Sequence, residues 1–151
     1  MIGVGNALRG DDAAGLAVAR QVRATAPAWI TVLEHSGEPA SLLELLRDAR
    51  AAVVVDAIAS GMAPGTVRRI DARRAPLPAA LGSTSTHSIG VAEAIELGRA
   101  LDRLPDRLVL FCVEGEDFGH QQGVGPEVER SLVAIAAAVT AEATALRETQ
   151  R

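Results

Sequence analysis

Three residues far apart in this chain have side chains that bind metals or move protons: Asp12, Asp56 and His87. Asp12 closes the glycine-rich stretch GVGNALRGDD, Asp56 follows the apolar run AAVVV, and His87 follows LGSTST. Two carboxylates and an imidazole form a donor set for a divalent transition metal, with coordination positions left open for a substrate. Each residue also has a plainer use. An aspartate ahead of a helix commonly caps its N-terminus, and a loop histidine can cap a helix or meet solvent. Asp56 is the hardest to explain away, because a carboxylate at the end of a buried strand is costly unless paired or coordinated.

The glycine-rich stretch does not read as a nucleotide loop. The dinucleotide fingerprint G-x-G-x-x-G is met by Gly3 and Gly5 but broken at Leu8. Gly5 and Gly10 have phosphate-loop spacing, yet Asp11 and Asp12 stand where that loop needs lysine and a hydroxyl. Acids in the first turn suit a helix dipole and repel a phosphate bound in the same place.

These residues must be positioned by strands and helices in alternation. Short apolar runs at Ile2–Val4, Ile30–Leu33, Ala52–Asp56, Val67–Ile70 and Leu108–Val113 predict five strands. The third and fifth do not alternate and are expected to be buried on both faces. A first helix is expected from Asp12 or Ala13 to Thr25, stopped before Pro27. Leu42, Leu45, Leu46 and Ala49 follow one helical stripe; Val91, Ala94, Ile95 and Gly98 a second; Val128, Leu132, Ile135 and Val139 a third. The pattern predicts a mostly parallel sheet covered on both faces. The connection SGMAPGTVRRI is too short for a crossover helix, so the fourth strand should be antiparallel or an edge. Ligands of open parallel sheets bind outside the carboxyl ends of the strands. If the first and third strands are neighbours, Asp12 and Asp56 meet there, and His87 can close the set.

Composition narrows the rest. The chain of 151 residues is expected to form one domain, 1–151, and its net charge of −4 gives no footprint for nucleic acid. No apolar run is long enough to span a membrane. The opening shows no basic leader with an apolar core, and the single cysteine, Cys112, excludes an internal disulfide. A cytoplasmic location is the expectation. All 15 basic residues other than histidine are arginine, which removes lysine Schiff-base chemistry. Cys112 lies mid-strand in LVLFCVEG, a setting for a buried thiol rather than a nucleophile. No G-x-S-x-G elbow supports a serine triad.

The runs GVGNALRGDDAAG, VVVDAIASG and THSIGVAEAIELG resemble those of the hydrogenase maturation endopeptidases. These are cytoplasmic enzymes that trim the C-terminus of a nickel-containing hydrogenase large-subunit precursor. GEDFGHQQGVGPEV resembles the family's final strand, loop and helix start, so the resemblance covers nearly the whole chain. It implies a three-layer α/β/α sandwich of the phosphorylase/hydrolase-like type, on a five-stranded sheet. It also implies an aspartic-type peptidase in which Asp12, Asp56 and His87 contact nickel carried by the precursor, with no organic cofactor. The precursor is the implied partner. Gly5, Asn6, Asp11 and Glu114 are secondary candidates for substrate contact, Asn6 with turn structure as its alternative. The chain departs from the family pattern in three places. The second acid of the pair, often glutamate, is Asp12 here; HSGE stands where some relatives have D-G-G-T, placing His35 at that aspartate; and the first strand is very short.

Hydrolysis on such a site has two routes open: a metal that polarises the carbonyl or acidifies bound water, or an aspartate acting as general base. Two other classes use the same residues, a peptidase or amidohydrolase holding its own zinc and a non-catalytic chaperone for the metal or precursor.

Overall fold

The computed structural model describes residues 1–82 and 86–149, with side chains described except at position 80 and positions 82–89. Five strands form one sheet: β1 (Ile2–Val4), β2 (Leu33–His35), β3 (Ala51–Ile58), β4 (Val67–Asp71) and β5 (Arg107–Glu114). Their order is β2-β1-β3-β5-β4, so β1 and β3 are neighbours. All pairs are parallel except β4 with β5, which is antiparallel at the sheet edge. The short connection before β4 explains that exception, because two antiparallel strands need no crossover.

Four helices cover the sheet: α1 (Ala14–Thr25), α2 (Pro39–Arg47), α3 (Thr86–Ala100) and α4 (Pro126–Glu148). The alternation of β3 and β5 divides the core between two faces. Val54, Ile58, Leu108 and Leu110 pack with Leu42, Leu46, Val91 and Ile95 on the α2–α3 side. Val53, Val55, Val109 and Phe111 pack with Val18, Val22, Leu132 and Ile135 on the α1–α4 side. Strands covered twice need apolar residues at every position, which is why the sequences of β3 and β5 do not alternate. The result is a mixed, mostly parallel α/β/α sandwich.

Two expectations shift. The second strand lies at Leu33–His35 rather than Ile30–Leu33, because it must pair in register with β1, Ile2 opposite Leu33 and Val4 opposite His35. On α2 the structure buries Leu42, Leu43 and Leu46 and leaves Leu45 37% exposed. Leu43 packs toward Gly98 of α3, so the apolar stripe of α2 turns to meet a helix as well as the sheet. The stripes read on α3 and α4 are buried as expected.

Two elements fix the entrance to the site. A 3-10 turn at Gly10–Ala13 leads directly into α1. At α1, a side chain on Gly15 would strike the carbonyls of Val4 and Val55, and one on Gly3 would strike the Gly15 carbonyl. Glycine at these positions lets the helix start sit directly on the ends of β1 and β3. The irregular segment after β4 is tied down by Arg99 of α3, which donates to the Ala72 and Arg73 carbonyls at 2.6 and 2.9 Å.

Candidate functional site

β1 and β3 run in parallel, with Gly3 opposite Val55, and both end at the same sheet edge. Asp12 stands on the 3-10 turn above β1, and that turn packs on β3. Asp56 lies on β3 one residue beyond Val55. Its side chain is directed by strand alternation to the face shared by Val54, Ile58 and Cys112, the face covered by α3. Both aspartates are 0% exposed.

Asp12 does not cap a helix. Arg9 precedes the 3-10 turn and Ala13 precedes α1, and neither N-terminus has a side-chain cap. The plain reading of Asp12 is therefore removed by the helix boundaries themselves. Asp56 Oδ1 accepts the Ala57 N–H at 3.0 Å, whereas its Oδ2 is buried with no hydrogen-bond partner among the described residues. Burial, reinforced by the negative charge of Asp12, pushes the Asp56 carboxyl well above the usual carboxylate range. A buried carboxylate oxygen with no donor among the described residues, next to a second acid, is costly unless a proton or a cation compensates it.

His87 lies in the first turn of α3, on the sheet face toward which Asp56 is directed. Its side chain lies outside the described residues, as do residues 83–85. Among the described residues no cluster of three His, Cys, Asp or Glu side chains forms a metal site.

The neighbouring acids have other engagements. Asp11 is 2% exposed, and its Oδ2 accepts the N–H groups of Glu116 and Asp117 at 2.8 and 3.1 Å. Its Oδ1 accepts the Gly125 N–H at 2.6 Å, at the N-cap of α4. The acid pair therefore splits. Successive residues of a 3-10 turn point about 120° apart, so Asp12 can face the strand ends only while Asp11 faces the β5–α4 loop. Backbone bonds from Gly10 to Gln121 and from Asp11 to Asp117 close the same seam. Glu114 holds the β3–β4 loop: Oε1 accepts the Ser60 and Gly61 N–H groups, and Oε2 accepts the Ser60 hydroxyl at 2.6 Å. Asn6 Oδ1 accepts the Leu8 N–H at 2.9 Å, which closes the turn after β1. Gly5 donates to the His35 carbonyl, and a side chain there would strike the Asp12 carbonyl.

The Asn6 bond is local, within the turn that the sequence already offered for it, whereas the roles of Asp11 and Glu114 were hard to read because each depends on a partner loop. The Asp11 bonds span 105 to 114 residues. Cys112 is fully buried, and burial with the nearby Asp56 charge pushes its thiol up to about 12. A cavity of about 560 Å³ opens at the opposite sheet edge, between Ile2, Trp29, Ala52 and Leu146, and includes none of the acids above.

The family model described as hydrogenase maturation protease, HycI, matches residues 17–142. The chain belongs to the hydrogenase maturation protease family. The matched segment contains Asp56 and His87 and begins just after Asp12. Within the family, the chain is 31% identical to the hydrogenase expression/formation protein HupD of Rhodobacter capsulatus over 126 residues, 79% of this chain and 59% of that protein. It is 29% identical to the hydrogenase 2 maturation protease of Escherichia coli over 136 residues, 87% of this chain and 82% of that protein. The chain spans 59% to 65% of the length of the HupD proteins it matches. The maturation protease fold is shared as well. The E. coli hydrogenase maturating endopeptidase HybD superposes with a TM-score of 0.73 at 26% identity, covering 98% of this chain and 91% of that one. The [NiFe] hydrogenase maturation protease HycI of Thermococcus kodakarensis superposes with a TM-score of 0.68 at 22% identity, covering 92% and 87%. Among the described residues no helix is long and apolar enough to cross a membrane.

Proposed function

We propose that this protein is an endopeptidase that removes the C-terminal extension of a nickel-containing hydrogenase large-subunit precursor, and that Asp12, Asp56 and His87 recognise nickel already seated in that precursor. The observation that carries the reading is the pair of fully buried aspartates at the joint end of β1 and β3, in a chain of the maturation protease family. Two buried acids at one strand end raise each other's cost of ionisation, and a divalent charge arriving with the substrate offsets that cost.

The nickel belongs to the substrate. Its contribution when docked is a Lewis acid beside the scissile bond. The chain contributes the rest. Asp56 Oδ2 and the Asp12 carboxylate supply oxygen ligands, and His87 supplies an imidazole from the start of α3. Where Asp56 carries a proton in the metal-free protein, Oδ2 holds it, since Oδ1 is engaged by the Ala57 N–H. A docked divalent charge would expel that proton to solvent and leave Asp56 ionised, either as a ligand beside a metal-polarised carbonyl or water or as a general base toward water. Gly5 lets the chain after β1 pack directly against the Asp12 carbonyl, where a side chain would collide.

The deciding experiment incubates the protein with nickel-loaded and nickel-free large-subunit precursor and reads the products by mass spectrometry. A single C-terminal cut confined to the nickel-loaded form is expected. Equal cutting of both forms removes the recognition role of nickel. Binding without cutting makes the protein a chaperone, and a stoichiometric resident zinc in an active preparation makes it an autonomous metalloenzyme.

A further inference from the structure

His35 ends β2 beside the end of β1, and both of its ring nitrogens are engaged. The Gly37 N–H donates to His35 Nδ1 at 2.9 Å. Nε2 lies 3.1 Å from Ser41 Oγ, and that hydroxyl lies 2.7 Å from Glu38 Oε2. Only one proton arrangement satisfies all three contacts. Nδ1 accepts and so carries no proton, Nε2–H donates to Ser41, and the Ser41 hydroxyl donates to the Glu38 carboxylate. The imidazole is neutral in this arrangement.

The turn so held touches both sides of the site. The His35 carbonyl accepts the Gly5 N–H at 3.1 Å, and Gly5 packs against the Asp12 carbonyl. Gly37 has φ 88°, and its carbonyl packs so closely on Gly90 of α3 that a side chain there would collide with it. Gly90 is one helical turn beyond His87. The segment between β2 and α2 is thus wedged between the Asp12 turn and the His87 helix.

We propose that His35 is a positioning residue for this site: its neutral imidazole acts as a hydrogen-bond acceptor that sets the β2–α2 turn, and protonation releases that turn from Gly5 and Gly90. The proposal rests on the reading of Asp12 and His87 given above, while its structural part can be tested without substrate. An imidazolium has N–H groups at both positions, so Nδ1 would face the Gly37 N–H as donor to donor. Among the described side chains, the charged groups around His35 are few. From α2, Glu38 favours the protonated ring, and burial outweighs it, so the imidazole is held below the ordinary histidine range. Next to it on β2, Glu34 is paired with Arg20 and Arg23 of α1, on the other side of the strand. From α3 the titratable first-turn residue is His87. β1 presents backbone alone at Val4 and Gly5.

The test uses the full chain, free of substrate, in a nuclear magnetic resonance titration. Nitrogen shifts of the His35 ring are expected to report the Nε2–H form at neutral pH. Amide-exchange protection at Gly37 and Gly5 is expected to fall together, about tenfold, as His35 is protonated. His35→Asn restores an acceptor for the N–H two residues on, as asparagine does in turns, and should keep that protection through the same pH range. His35→Phe, with a ring and no acceptor, should lack it at every pH. An Nδ1–H tautomer, or protection at Gly37 and Gly5 indifferent to His35 titration, overturns the proposal, and the wild-type titration decides this even if a variant fails to fold. With nickel-loaded precursor, the acid limb of kcat should move in His35→Asn while KM stays within about twofold. A protein that cuts no precursor sinks the protease reading and leaves the titration result standing.

Discussion

The Asp11 carboxylate lies 2.6 Å from the Gly125 amide nitrogen, joining the start of α1 to the start of α4 across 114 residues. An acid at a helix N-terminus satisfies N–H groups that the helix leaves open and meets the positive end of its dipole. Here the acid comes from a different helix, so one carboxylate fixes two helix starts and the Asp12 turn between them. Asp11→Ala should cost about 2–4 kcal/mol, because three N–H groups lose a charged acceptor. Urea unfolding measures this. A loss below about 0.5 kcal/mol, the range of an ordinary surface substitution, would mean that the seam is held by its backbone bonds alone.

Asp56 makes the opposite prediction for stability. Its folded-state titration is raised above the unfolded value by burial and by Asp12. A raised acid stabilises the fold below its unfolded value and loses that contribution as pH rises through the folded one. Asp56→Asn carries no such charge, so the metal-free variant should be more stable than wild type at neutral pH by about 1–3 kcal/mol. The advantage should shrink to nothing as pH falls into the ordinary carboxylate range. The same variant should lose precursor processing. Thermal unfolding across pH checks the first statement, and a variant weaker than wild type at every pH refutes it.

The junction of α1 with the sheet is set by Gly15. A methyl group there meets two carbonyl oxygens, those of Val4 and Val55, and neither strand can retreat without breaking the parallel ladder. Gly15→Ala should therefore destabilise by about 3 kcal/mol despite its higher helix propensity. Denaturant unfolding gives the sign directly. A stabilised variant would show that α1 can lift off the strands.

Cys112 should be chemically silent. Its thiol is buried and pushed up to about 12, so almost no thiolate exists near neutral pH. Iodoacetamide should leave it unmodified in the native protein and label it after unfolding. Cys112→Ala should keep processing at a small cost in stability, about 1 kcal/mol for the missing sulfur. Fast native labelling together with loss of processing would reopen a cysteine mechanism.

What the sequence alone determined is what repeats locally or is buried throughout. The branched runs of β3 and β5 announce strands covered on both faces, and the stripes of α3 and α4 announce their buried sides, because periodicity reports burial without knowing the partner. The short connection after Asp56 dictated the antiparallel edge strand. Asp56 was legible as unusual because a charge after three valines has no cheap local explanation.

The tertiary structure alone decided register, partners and the fate of each acid. Leu33–His35 became the second strand because β1 selects it by pairing, and the helix boundary at Ala14 denied Asp12 the role of a cap. Asp11 and Asp12 look equivalent as neighbours in the chain, yet one binds backbone across the molecule and the other is buried toward β3. Nothing local distinguishes them, since the deciding N–H groups lie more than a hundred residues away. His35 gains its acceptor role in the same way, from a strand end that pairs with β1 and a turn that packs against α3.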